Sequence, residues 1–176
     1  VAYQAVKLGL RPLAVHFDNG WNSELAVQNI ENIVKKLNLD LITFVIDWPE
    51  FKDIQRSFFK ANVIDIEMVT DHAIFAAMYK IANKHKIRYI LSGTNAATEG
   101  IMPAAWQHFK FDLLNLKAIH KRFGTVPIKR YPTLSVWEVA WNHYVRGAKS
   151  ISLLNYFPYR KNEAMRTLKD ELGWQY

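Results

Sequence analysis

The sequence predicts an α/β fold, a parallel sheet with helices on both faces, and three observations carry that expectation. Short apolar runs rich in β-branched residues alternate with longer segments whose apolar residues recur at helical spacing. Two of the short runs end in small, polar, glycine-containing loops, as strands of a parallel sheet do where they feed helices. No internal repeat, low-complexity tract or linker interrupts the alternation, so one domain is expected over residues 1–176.

The elements follow in order. Val1, Ala2, Ala5, Val6 and Leu8 fit the last turns of a packed helix, with Gly9 as its stop. Leu10 to Phe17 reads as a buried strand with Pro12 near its start, and Asp18-Asn19-Gly20 breaks it. A helix from about Ser23 to Leu37 carries Val27, Ile30, Val34 and Leu37 on one face, with Asn22 or Ser23 as its cap. Leu41 to Ile46 is the second strand, and Pro49 opens a helix to about Ala61 from the first turn, where proline is tolerated. Thr70-Asp71 reads as the cap of a helix with the stripe Ile74, Met78, Ile81 and Ala82. Ile87 to Leu91 is a third strand ending at Ser92-Gly93. Further helices are expected around Asp112 to Phe123, Ser135 to Val145 and Asn162 to Leu172.

Composition narrows the partners. Half of the residues are hydrophobic and 22% are charged, a balance that supports a packed core. No apolar run approaches the roughly 20 residues of a membrane-spanning helix, and the N-terminus lacks a signal-peptide pattern, so a soluble cytoplasmic protein without a membrane partner is expected. There is no cysteine, which excludes disulfides, thiolate metal sites and cysteine nucleophiles from these residues. The net charge of +7 points to an anionic partner. The basic residues are scattered along the sequence, with His120-Lys121-Arg122 the densest group, so nucleic acid is not the expected one.

Two loops at the carboxyl ends of strands carry the candidate chemistry. In His16 to Ser23, Gly20 permits positive φ and a close backbone approach, and the following helix start offers free N–H groups to an anion. Turn and capping work is the commoner employment of residues such as Asp18 and Asn19. In Ser92 to Gly100, the Thr94 hydroxyl and backbone N–H groups suit phosphate oxygens, and a carboxylate such as Glu99 suits Mg²⁺. A glutamate in a first helical turn, favoured by the helix dipole, reads equally well.

The wording of these loops resembles that of a known group. Gly93-Thr94 with Glu99 six residues after the glycine resembles the loop of NAD synthetase in which the glutamate binds magnesium, and Asp18-Asn19-Gly20 resembles the D-N-G of GMP synthetase. Both belong to the PP-loop, or N-type ATP pyrophosphatase, group. Over nearly the whole chain the sequence is similar to the N-acetyl sugar amidotransferases of surface-polysaccharide (lipopolysaccharide O-antigen) and flagellin-sugar biosynthesis. The stretches that carry the likeness are His16 to Glu31, Thr70 to Phe75, Leu91 to Pro103, Lys117 to Gly124 and Leu154 to Ala164.

That resemblance implies a Rossmann-like sheet and an ATP-dependent transferase that releases AMP and pyrophosphate while turning an acetamido group into an acetamidino group. It implies ATP bound by His16, Phe17, Asp18, Asn19, Ser92, Gly93, Thr94, Asn95 and Lys161, with Asp18, Thr94 and Glu99 as catalytic residues. Glu99 would be the Mg²⁺ ligand. A sugar-nucleotide substrate would meet Asp71, His72 and Trp106, and ammonia would come from a glutaminase subunit. For Thr70-Asp71-His72 the alternative is plain capping with a partly exposed histidine, and for Lys161 a solvated side chain. The group's S-G-G-x-D-S phosphate loop and its cysteine-rich motif are not among these residues, so the sequence is expected to be truncated at both ends and inactive by itself. A PP-loop enzyme that modifies tRNA and a non-catalytic nucleotide-binding module remain the rival readings. The sugar and the oligomeric state are open.

Overall fold

The computed structural model describes residues 1–96, Pro103 and 109–175. The chain is mixed α/β. The helices are α1 (Ala2–Lys7), α2 (Glu24–Leu37), α3 (Trp48–Ala61), α4 (Met68–Lys84), α5 (Leu113–Phe123), α6 (Val136–Ala140) and α7 (Lys161–Leu172). The strands are β1 (Leu13–Asp18), β2 (Asp40–Val45), β3 (Tyr89–Ser92) and β4 (Lys149–Ser152). Among the described residues they form two parallel two-stranded sheets, β1–β2 and β3–β4, rather than one continuous sheet.

Local chemistry sets most boundaries. Ser23 Oγ accepts from Ala26 N–H, Asp47 Oδ1 from Glu50 N–H and Asp112 Oδ1 from Asn115 N–H, so three helices start on a side-chain cap. Ser135 and Glu138 cap each other reciprocally at the start of α6. Asn38 and Asn62 close α2 and α3 in left-handed conformations. β1 begins after Pro12, not at Leu10, because proline has no N–H to give a ladder.

Three expectations are corrected. α4 starts at Met68, with Glu67 at its cap and no side-chain cap bond, so Thr70 and Asp71 lie in the first turn and do not cap. Its buried face is Met68, Val69, His72, Ala73, Ala76, Ala77, Ile81 and Ala82, so Ile81 and Ala82 of the expected stripe face in while Ile74 faces out. The helix expected to reach Val145 is α-helical only to Ala140 and widens into a π turn over Trp141–Val145. There the Asn142 side-chain amide donates to the Glu138 carbonyl at 2.7 Å, the acceptor four residues back that its own backbone N–H would use. β4 has no counterpart in the sequence reading.

The chain gathers into two compact units. The first comprises the described parts of residues 1–44, 91–100 and 150–176. In it Phe17 stacks on Phe44 with ring centres 5.7 Å apart. Asn29 exchanges two hydrogen bonds of 2.8 Å with the Gln175 backbone, and Asn32 donates to Gly173, which fixes the end of α7 against α2. The second unit, from residues 45–90 and 101–149, has the larger apolar core. Phe51, Ile54 and Phe58 of α3 meet Leu116 of α5, and Met68, Val69 and Ala73 of α4 are buried with Tyr131 and Leu134. Each of the Phe, Ile, Leu, Met and Val side chains among them contributes on the order of 1.5–3 kcal/mol by leaving water.

Candidate functional site

Both candidate ATP loops lie in the first unit. In the loop after β1, Asp18 Oδ1 accepts from Gly20 N–H at 2.9 Å and from the Asn22 amide at 3.0 Å, while Asn19 Oδ1 accepts from Trp21 N–H at 3.2 Å. These bonds to the backbone two residues on are turn work, and Gly20 completes the turn at φ 79°. They use one Asp18 oxygen and leave the other uncommitted among the described residues. The Asn22 amide also lies 3.3 Å from His16 Nε2, which ties the end of the strand to the turn. Phe17 is committed to its stack on Phe44.

The loop after β3 is a cluster of hydroxyls. Thr94 Oγ1 lies 3.0 Å from Ser92 Oγ and 2.8 Å from Ser152 Oγ of β4, and Thr94 N–H donates to Ser92 Oγ at 3.2 Å. Ala96 N–H donates to Asn155 Oδ1 at 3.0 Å, and Asn95 is buried. Gly93 is exposed, and among the described residues a methyl group added there would meet only Val1, at the ordinary contact distance of 3.6 Å. The arrangement gives an open backbone beside three hydroxyls that rotate between donor and acceptor roles. Ser152 and Asn155 are the contributors that the sequence reading missed. Asn155 stands inside the Leu154 to Ala164 stretch quoted above, whereas Ser152 sits in Lys-Ser-Ile-Ser, which has no apolar run to mark it as a strand.

Lys161 is the first residue of α7, in the same unit, and is exposed. Arg160 occupies the cap position with no capping bond and donates to Glu163 at 3.3 Å. Two cations therefore sit at the positive end of a helix dipole, an arrangement that favours an anion beside them.

Asp71 and His72 lie in the second unit, and their surroundings correct the reading made of them. His72 is fully buried. Leu134 N–H donates to its Nε2 at 3.1 Å, so the proton is on Nδ1, which donates to the Lys110 carbonyl at 2.8 Å. Both ring nitrogens are spent on backbone, and burial holds the imidazole pKa below its ordinary value despite the pull of the Lys110 bond, Asp112 and Glu138. The ring also lies parallel to Tyr131, whose hydroxyl donates to the Val69 carbonyl at 2.6 Å. His72 is thus a core histidine, neither partly exposed nor open to a substrate. Asp71 pairs with Lys110 at 2.9 Å, and Asp65 holds the same ammonium. Burial lowers the Lys110 pKa, but the two carboxylates outweigh it and the net shift is upward.

The same unit holds two carboxylates on α3 that the sequence reading passed over. Glu50 accepts from the N–H groups of Lys129, Arg130 and Tyr131, all at 2.8–3.0 Å. Asp53 accepts from Thr125 N–H, Thr125 Oγ1, Val126 N–H and His120 Nε2. Burial alone would raise both pKa values, but these donors overcome it and both stay below the ordinary range. They fasten the loop after α5 to α3.

Glu99 and Trp106 lie outside the described residues. Among those described there is no group of three or more His, Cys, Asp or Glu side chains placed to hold a metal. Mg²⁺ on a nucleotide needs only one or two protein carboxylates, since phosphates and water complete its shell. Asp18, with one carboxylate oxygen that has no hydrogen bond among the described residues, is a donor of that kind. No family model matches the sequence, and neither a curated protein nor a solved structure matches it.

Proposed function

We propose that the chain is the nucleotide-binding part of an ATP-dependent amidotransferase of the PP-loop type, acting on the N-acetyl group of a sugar nucleotide. The observation that supports it most is the Ser92–Thr94–Ser152 hydroxyl cluster beside the exposed Gly93 at the carboxyl end of β3. Hydroxyls and open backbone at a strand end are what a phosphate chain requires. The chain is mixed α/β with two parallel strand pairs, and we read those pairs as parts of a Rossmann-like sheet.

On this reading the acetamido oxygen attacks the α-phosphorus of ATP and pyrophosphate leaves. Ammonia, supplied by a glutaminase subunit, attacks the activated carbon and gives up a proton, and the C–O bond breaks to release AMP and an acetamidino sugar. Ser92, Thr94 and Ser152 hold phosphate oxygens, His16 to Asn19 border the adenosine, and Lys161 meets negative charge at the start of α7. Asp18 or Glu99 would hold Mg²⁺, which would neutralise charge building on the pyrophosphate. The protein's share is positioning and electrostatics in a cytoplasmic enzyme.

The test incubates the full-length protein with ATP, Mg²⁺, ammonium and a panel of N-acetylated sugar nucleotides while AMP and product mass are followed. Sugar-dependent AMP with a product carrying NH in place of O is the expected result. AMP formation that depends on tRNA and ignores sugars would replace this reading with base modification.

A further inference from the structure

A second surface, in the second unit and away from the nucleotide loops in sequence, combines aromatic rings and unpaired cations. α6 and its π turn expose Trp137, Trp141 and Tyr144 by 84%, 58% and 81%. Trp137 and Trp141, four residues apart, share a face, Tyr144 is exposed in the π turn that follows, and the exposed Val136 and Val145 flank them. At ~150–250 Å² per ring this is roughly 500 Å² of aromatic surface, the size of the largest apolar patch on a typical monomer.

The fold then gathers cations that the sequence scatters. Arg146 reaches the end of α4 and donates to the Asn83 carbonyl at 3.4 Å, beside the exposed Lys84. Arg88 lies against Gly147, with its side chain 4.0 Å from where a methyl group there would sit, and its carbonyl accepts from Lys149 N–H at 2.7 Å. Exposed Lys86 and Tyr89 flank Arg88 in sequence. None of these five cations forms an ion pair among the described residues. Across residues 80–89 and 136–149 the one acid is Glu138, and it is spent on Ser135.

We propose that this face binds single-stranded nucleic acid, with bases stacked on Trp137, Trp141 and Tyr144 and phosphates on Lys84, Arg88, Arg146 and Lys149. Flat rings supply sequence-tolerant stacking and the basic margin follows the backbone. A second copy of this chain is disfavoured, because a twofold contact would bring the cations against each other. A lipid surface also takes Trp and Tyr beside cations, but the aliphatic side chains exposed on α6 and its π turn are only Val136 and Val145, little to insert below the headgroups.

The experiment titrates the protein with labelled oligouridylate and oligodeoxythymidylate and follows both anisotropy and tryptophan fluorescence across a salt series. Poly-glutamate, heparin and anionic phosphatidylserine vesicles serve as competitors. Binding with quenching is expected, and Trp137→Ala and Trp141→Ala should each weaken it about fivefold or more and remove part of the quench. Arg88→Gln and Lys149→Gln should each lower the slope of log affinity against log salt by about 0.7. All four substitutions are at exposed positions, and far-ultraviolet circular dichroism checks that the fold is kept. Absence of binding overturns the proposal. So does binding that the tryptophan variants leave unchanged, which is charge alone, or preference for poly-glutamate or vesicles, which points to an acidic protein or a membrane. None of these residues belongs to the nucleotide loops, so failure here leaves the amidotransferase reading standing, and the reverse holds too.

Discussion

Thr94 holds its hydroxyl between two others, Ser92 at 3.0 Å and Ser152 at 2.8 Å, and its backbone leads from β3 into the candidate phosphate loop. Replacing it with valine keeps shape and volume and removes the hydroxyl alone. Thr94 is exposed, so the unfolding midpoint should barely move. ATP-dependent AMP formation should fall about tenfold or more, the cost of a lost hydrogen bond to a charged group. Equal loss of stability and turnover would assign the cluster a structural role. His72 gives the opposite lesson at the same scale. Its place after Thr70-Asp71 suggested a crevice residue, but helix α4 begins two residues before Thr70 and turns the imidazole inward. A histidine in a sequence does not declare whether backbone groups from residues 38 and 62 positions away will take both its nitrogens.

Helices were legible where the signal is local. Ser23, Asp112 and Ser135 cap as their residue types predict, and Pro49 sits in the first turn of α3. The misses share a different cause, namely that a partner distant in sequence decides. β4 exists because β3 pairs with it, and the inner face of α4 mixes Met68, Val69 and Ile81 with alanines and a histidine that a hydrophobicity stripe does not register. Helix α3 carries the least visible device. Glu50 and Asp53, one turn apart, accept from five backbone N–H groups between Thr125 and Tyr131. Glu50→Gln keeps the size of the side chain but turns one acceptor into a donor facing N–H groups. It should destabilise the protein by about 2–4 kcal/mol, read from urea unfolding. Gly124→Ala attacks the same region sterically, since its methyl group would lie 2.4 Å from the His120 ring and 2.7 Å from the His120 carbonyl. A similar loss is expected, whereas alanine at the open Gly93 should cost little. Equal effects at the two glycines would contradict this account of the loop.

Across the molecule, the groups that protonation disturbs are unevenly distributed. His72, Glu50 and Asp53, all with depressed pKa values and all bonded to backbone, lie in the second unit. The first unit is fixed instead by amides that do not titrate, Asn29 and Asn32. A histidine whose pKa is lowered by folding stabilises fully while both states are neutral. That contribution is intact above the unfolded value near 6.5 and is lost as pH falls through it toward the folded value. For the two carboxylates the loss begins lower, as pH drops below their unfolded values near 4 and approaches the folded ones. Hydrogen exchange from pH 7 down to pH 5, corrected for intrinsic rates, should therefore show protection fading first at Leu134, whose N–H bonds to His72, and in the neighbouring backbone. Asn29-anchored Gln175 and the β1–β2 ladder should keep theirs over the same range. His72→Gln should flatten that decline, because an amide can accept from Leu134 without gaining a proton. A uniform loss of protection in both units would mean that they open as one and that the imidazole is not the local trigger.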